Sequence, residues 1–95
     1  MAGKAGLPSR AGKGIRAPER LSKSRSKAVG VKVLAARQAA GLTQDDVAHL
    51  ANVSRNRVQL IEVGNANPRL STLYAIARAL RVPLLSLLPD DARTG

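Results

Sequence analysis

The side chains best suited to chemistry lie in one stretch, Thr43 to Gly64, which reads TQDDVAHLANVSRNRVQLIEVG. Asp45 and Asp46 are two adjacent carboxylates. Neighbours on a helix point in different directions, so they do not form a proton-transfer pair. Asp46 stands three residues after Thr43, as in a capping box, and Asp45 suits the positive end of a helix. His49 is the one histidine and there is no cysteine, so no metal-ligand set can be assembled. No serine or threonine has a base at a suggestive spacing. What remains is hydrogen bonding rather than bond making: Arg55, Asn56, Arg57 and Gln59 crowd into five positions behind Ser54.

The elements that must position this cluster are legible from spacing. Val33, Ala36, Arg37 and Ala40 recur at i, i+3, i+4, i+7 and mark a first helix, which Gly41 ends. Thr43 opens a second helix, about 44–51, with Val47, Ala48, Leu50 and Ala51 as its buried face. Ala51-Asn52-Val53 is a sharp turn in which Asn52 can take the positive φ that glycine usually supplies. Ser54 caps a third helix, about 55–63, with Val58 and Ile61 facing inward and Arg55, Asn56 and Gln59 outward. Gly64 ends it. The loop Asn65-Ala66-Asn67-Pro68-Arg69 leads to a fourth helix capped by Ser71, whose stripe is Leu73, Ile76, Ala77 and Leu80. Pro83 starts a short fifth helix, Leu84 to Leu88, and Pro89 stops it. The expected fold is all-α, a compact five-helix domain over residues 28–89 with a tail at 90–95.

The 95 residues allow one small domain, and their formal net charge is +10. Residues 1–27 hold eight of the 16 Lys and Arg and one of the six acids. Glycine and proline punctuate them, and apolar residues are too sparse to offset the entropy of ordering. A disordered basic N-terminal arm is expected. Such charge favours a polyanionic partner, and its attraction to phosphate falls steeply with salt. No run of 18 apolar residues exists and the basic N-terminus develops no apolar core, so neither a membrane span nor a secretory signal is expected. The reading is a cytoplasmic, nucleoid-associated protein. Tyr74 is the only aromatic residue and is expected in the core or at an interface edge. A small helical domain so poor in aromatics has little to line a pocket with, so no enzyme activity and no cofactor are expected.

From about residue 33 to 88 the chain resembles the lambda-repressor and Cro type of helix-turn-helix domain, the xenobiotic-response-element (XRE) family. The matching features run in order: Arg37, then Gly-Leu-Thr-Gln, Ala48, the Val53-Ser54 turn exit, Ile61-Glu62-x-Gly64, Asn67-Pro68, and the helix from Leu73 to Val82. Two positions depart from the pattern: Asn52 replaces a usual glycine, and Ala36 a larger aliphatic. The resemblance implies that the third helix enters the major groove of DNA. Arg55 and Asn56 then match positions that reach base edges, and Leu60 a further position that can meet a thymine methyl or pack. Gln44 would bond a phosphate and help hold the third helix. Ser54 would cap and touch a phosphate, as would Asn67 and Arg69 in the following loop. Arg37 and Glu62 match a structural ion pair.

The chemistry of the side chains agrees. Arginine suits guanine O6 and N7, and asparagine suits adenine N6 and N7. Gln59 flanks them as a further base contact, and Arg57 suits a phosphate. A sequence-specific transcriptional regulator of repressor type, binding double-stranded DNA as a homodimer through the Leu84–Leu88 run, is therefore expected. Two alternatives stand beside it: a protein-binding module on the same fold, either an antitoxin with a toxin partner or a bridging factor for the transcription machinery, and a nonspecific nucleic-acid binder driven by the arm.

Overall fold

Ser22 sets the first helix earlier than the apolar pattern suggests. The computed structural model describes residues 21–93. Within it, the Ser22 hydroxyl accepts a hydrogen bond from the Arg25 N–H at 3.2 Å, and α1 runs Lys23–Ala39. The expected start near residue 28 is thus corrected: Lys23, Arg25 and Lys27 belong to a helix and not to an arm. The reason is what α1 buries. Ser26, Val29, Gly30 and Val33 face the core at i, i+3, i+4, i+7, and two of these are too small to register as an apolar stripe. Ala40, counted in the sequence stripe, is exposed beyond the helix end. Residues 1–20 of the expected arm lie outside the described residues.

Gly30 explains how close α1 comes to the rest. It packs against the last turn of α3 (Arg55–Glu62). A Cβ there would overlap the Ile61 carbonyl oxygen and stand 2.6 Å from that of Glu62. The backbones of α1 and α3 therefore touch at a point where only hydrogen fits.

α2 (Gln44–Ala51) begins with a complete capping box. The Thr43 hydroxyl accepts from the Asp46 N–H at 3.0 Å, and the Asp46 carboxylate accepts from the Thr43 N–H at 2.9 Å. Val47, Ala48 and Ala51 are buried, but Leu50 is 58% exposed, contrary to the sequence expectation. At 100° per residue Leu50 lies well to one side of the arc that the other three define. α4 (Leu70–Leu80) starts one residue before the expected cap. Arg69 takes the N-cap position without a side-chain bond, and Ser71 is inside the helix and exposed.

The four α-helices of the described residues all stop in the same way. Leu42, Val53, Asn65 and Val82 each donate from the backbone to a carbonyl five residues back, at 2.9–3.2 Å. The residue before each is left-handed: Gly41, Asn52, Gly64 and Arg81, at φ of 73°, 57°, 80° and 60°. This is the Schellman closure, and it satisfies carbonyls that the helix leaves open. Asn52 fills the expected role. Arg81, with no glycine-like tolerance, is held there because Val82 is drawn back towards the core.

Among the described residues there are four α-helices and two 3-10 turns, not five helices. Leu84–Leu87 is one of the turns. Pro83 precedes it in extended conformation and Pro89 follows, and the span between them is too short for a ladder of i→i−4 bonds. Leu87 is fully buried nonetheless, and the turn lids α1 and α4. The second, Asp90–Arg93, falls in the expected tail. Asp91 pairs with Arg25, and Asp90 with Lys32 at 3.0 Å, which fastens it to α1. The shared core draws on Val29 and Val33, Val47, Val58 and Ile61, Leu73 and Ile76, with Leu87 reaching in from the lid turn. No helix among the described residues is long and apolar enough to cross a membrane.

Candidate nucleic-acid interface

The α2–turn–α3 unit is fixed from inside and leaves its first outer turn bare. Ser54 accepts from the Arg57 N–H at 3.0 Å, which starts α3 cleanly after the Asn52 turn. Val58, Ile61 and Glu62 are buried, while Arg55, Asn56, Arg57 and Gln59 are exposed. Helical geometry places Asn56, Leu60 and Val63 opposite the core, with Arg55 towards one side and Arg57 towards the other. Leu60 is half-buried, so part of it packs. Val63 is 52% exposed on the same outward face as Asn56 and Gln59. In the sequence only its spacing of four from Gln59 marks it.

Glu62 locks the inner end of the unit. Its carboxylate accepts from Arg37 Nε at 2.6 Å, from Arg37 Nη2 at 3.1 Å and from Gln44 Nε2 at 2.9 Å. Arg37 also donates through Nη1 to the Leu42 carbonyl at 2.9 Å. One carboxylate thereby ties α1, the start of α2 and the end of α3 together. The bond to Glu62 raises the Arg37 pKa further above its ordinary value, so the guanidinium stays charged. Gln44, the first residue of α2, is thus bonded to the last residue of α3.

The remaining site residues sit at the two ends of α3. At its start, Arg55 Nε lies 3.4 Å from an Asp45 carboxylate oxygen, and both side chains are well exposed. By sequence position alone Asp45 has only a helix-end role. At the other end, Asn67 and Arg69 are exposed in the α3–α4 loop. Asn67 Oδ1 accepts from the Leu21 N–H at 2.9 Å, so this loop also anchors the start of the described chain. His49 is exposed, and Tyr74 is 56% exposed beside Leu50 on the α2–α4 surface, an edge and not a core position. Among the described residues no group of three or more His, Cys, Asp or Glu is placed to hold a metal ion.

The helix-turn-helix family HTH_3 matches residues 33–87, from the middle of α1 to the lid turn. The chain belongs to this helix-turn-helix family. The chain is 38% identical over 63 residues to the immunity repressor protein of Bacillus phage phi105, covering 66% of this chain and 44% of the repressor. The chain therefore spans under half the length of that relative. Among solved structures it is similar to the restriction-modification controller protein C.AhdI from Aeromonas hydrophila, with a TM-score of 0.65 and 28% identity over 66% of this chain and 96% of the controller. It is also similar to an HTH_3 family transcriptional regulator from Vibrio cholerae, with a TM-score of 0.68 and 25% identity, covering 76% of this chain and 40% of that one.

Proposed function

We propose that this HTH_3 domain is a sequence-specific DNA-binding transcriptional regulator of repressor type. The observation that carries the reading is the asymmetry of α3. Its far end is pinned through Glu62 to two other helices, while its first turn presents Arg55 and Asn56 to solvent. A helix that enters the major groove by its N-terminus offers those side chains to base edges. Arg55 reads guanine and Asn56 adenine, with Gln59 and Leu60 on the neighbouring base pair. Gln44, Ser54, Arg57, Asn67 and Arg69 set the register on backbone phosphates. The repressor and controller similarities support this assignment.

The protein acts as a homodimer in this reading. Leu85 remains 49% exposed on the lid turn whose Leu87 is buried, so an apolar edge is left for a second copy. Two copies related by a twofold axis would place their α3 helices about 34 Å apart on a palindromic site. Selection of bound duplexes from a random pool tests both points at once, since it reports sequence preference and half-site spacing. Arg55→Ala should then lower affinity for the selected site by about 1–3 kcal/mol and relax selectivity at one base pair. If it weakens binding to every duplex equally, Arg55 contacts phosphate and the assignment fails.

A further inference from the structure

Asp45 is an acid on a surface that the proposed function turns towards a polyanion. It is not needed for the helix cap, because Thr43 and Asp46 complete the capping box between themselves. Its ion-pair partner is Arg55, at 3.4 Å from Nε. Resting on the DNA-reading proposal above, we propose that Asp45 is a positioning residue for Arg55 and so a determinant of sequence specificity.

Two physical effects support this. The first is orientation. A carboxylate against Nε steadies the stem of the arginine and turns the two Nη groups outward, the edge that meets guanine O6 and N7 as a bidentate pair. At 3.4 Å the contact is an ion pair without a short hydrogen bond, so the outward N–H donors are not consumed. In free protein an exposed pair of this kind is weak and screened. Water leaves the groove when DNA binds, and the same pair then strengthens where it is needed. The second effect is exclusion. Arginine left alone beside DNA can fold back onto a phosphate and bind any sequence. Asp45 repels that phosphate and competes for the same guanidinium, so the phosphate-bound pose loses more than the base-bound pose. Asp45 thus lowers overall affinity and raises discrimination.

The test is a double-mutant cycle on the full chain, measuring binding to the selected site and to a random duplex of equal length. Asp45→Asn should bind the random duplex more tightly and lower the selected-to-random ratio about tenfold, concentrated at the base pair that Arg55 reads. Asp45→Glu should restore most of the ratio. In an Arg55→Ala background, Asp45→Asn should move the ratio by less than about twofold, because the pair is already broken. Thermal melting of Asp45→Asn should match that of the unchanged protein, which separates positioning from folding. Equal loss of ratio with and without Arg55 would mean that Asp45 reads a base itself and would overturn the proposal. So would equal strengthening on both duplexes with the ratio intact, which marks a spectator charge. If Arg55→Ala alone leaves the ratio unchanged, the failure lies in the assignment of Arg55 as a reader, and the role of Asp45 falls with it.

Discussion

Arg37 and Glu62 are 25 residues apart and form the most deeply buried ion pair among the described residues, with Nε to Oε2 at 2.6 Å and Nη2 to Oε1 at 3.1 Å. Their side chains are 14% and 4% exposed, so both charges have been taken largely out of water. A pair of this kind contributes little when compared with a well-packed apolar substitute. Breaking it is costly because one charge is left without a partner. Glu62→Ala should therefore destabilise the domain by about 3 kcal/mol. Gln44→Ala removes one hydrogen bond to the same carboxylate and should cost about 1–2 kcal/mol. Urea unfolding at neutral pH checks both the values and their order. A loss at Glu62 no larger than at Gln44 would mean that Arg37 finds another partner.

Gly30 gives a prediction whose sign depends on tertiary packing alone. In an isolated helix, alanine is favoured over glycine by about 1 kcal/mol. Here the added Cβ meets the backbone carbonyls of Ile61 and Glu62, which cannot rotate away. Overpacking of this kind typically costs about 1–3 kcal/mol, and backbone neighbours put it at the upper end. Gly30→Ala should lower the melting temperature by several degrees, on the scale of about 4–8 °C per kcal/mol for a domain of this size. A rise in Tm would show that α1 does not approach α3 so closely.

The same glycine shows where the sequence was mute. Gly30 and Ser26 line the inner face of α1, but neither carries an apolar side chain, so the pattern of valines and alanines puts the start of the helix five residues too late. The α2–turn–α3 unit was readable because its signals are local: Thr43 with Asp46, Asn52 at positive φ, Ser54, and Gly64 each act within four residues. The lid turn was misread because Pro83 to Pro89 leaves an apolar run whose spacing suits several conformations. The exposure of Leu50 and the left-handed Arg81 depend on neighbours from α4 and the lid, which no window along the chain contains. Asp45 was visible as an acid at a helix start. Its nearness to Arg55 is a product of the turn geometry.

Asp46 makes the α2 cap sensitive to acid. The Thr43 N–H at 2.9 Å, with the Thr43 hydroxyl second, holds this carboxyl below its ordinary value of 3.8. A depressed folded-state pKa means that the stabilisation is present above the unfolded value and is lost as pH falls through the folded one. Urea midpoints should separate the unchanged protein from Asp46→Asn by a constant amount above about pH 5, and the gap should shrink as pH drops below about 4. Because the group is at the surface, the sign and the pH window carry the prediction. A gap that stays constant down to about pH 2 would mean that the Thr43 bonds do not favour the charged carboxylate.

Residues 1–20 separate reading from attraction. They carry Lys4, Arg10, Lys13, Arg16 and Arg20 against Glu19, and they join the folded body at Leu21, whose N–H is bonded to Asn67 in the α3–α4 loop. Phosphate contacts by such residues release counterions, and each makes log K fall by about 0.9 per unit of log salt. None of them lies on α3, which carries the proposed base-reading residues. Deleting residues 1–20 should therefore weaken binding to selected and random duplexes alike at low salt and reduce the salt slope by up to about 4. The ratio between the two duplexes should stay within about twofold, because Arg55, Asn56 and the Glu62 junction lie wholly within the described fold. Fluorescence anisotropy titrations across a series of salt concentrations supply both quantities. If the selected-to-random ratio collapses with the deletion, discrimination belongs to the N-terminal segment, and α3 is a docking helix that reads nothing.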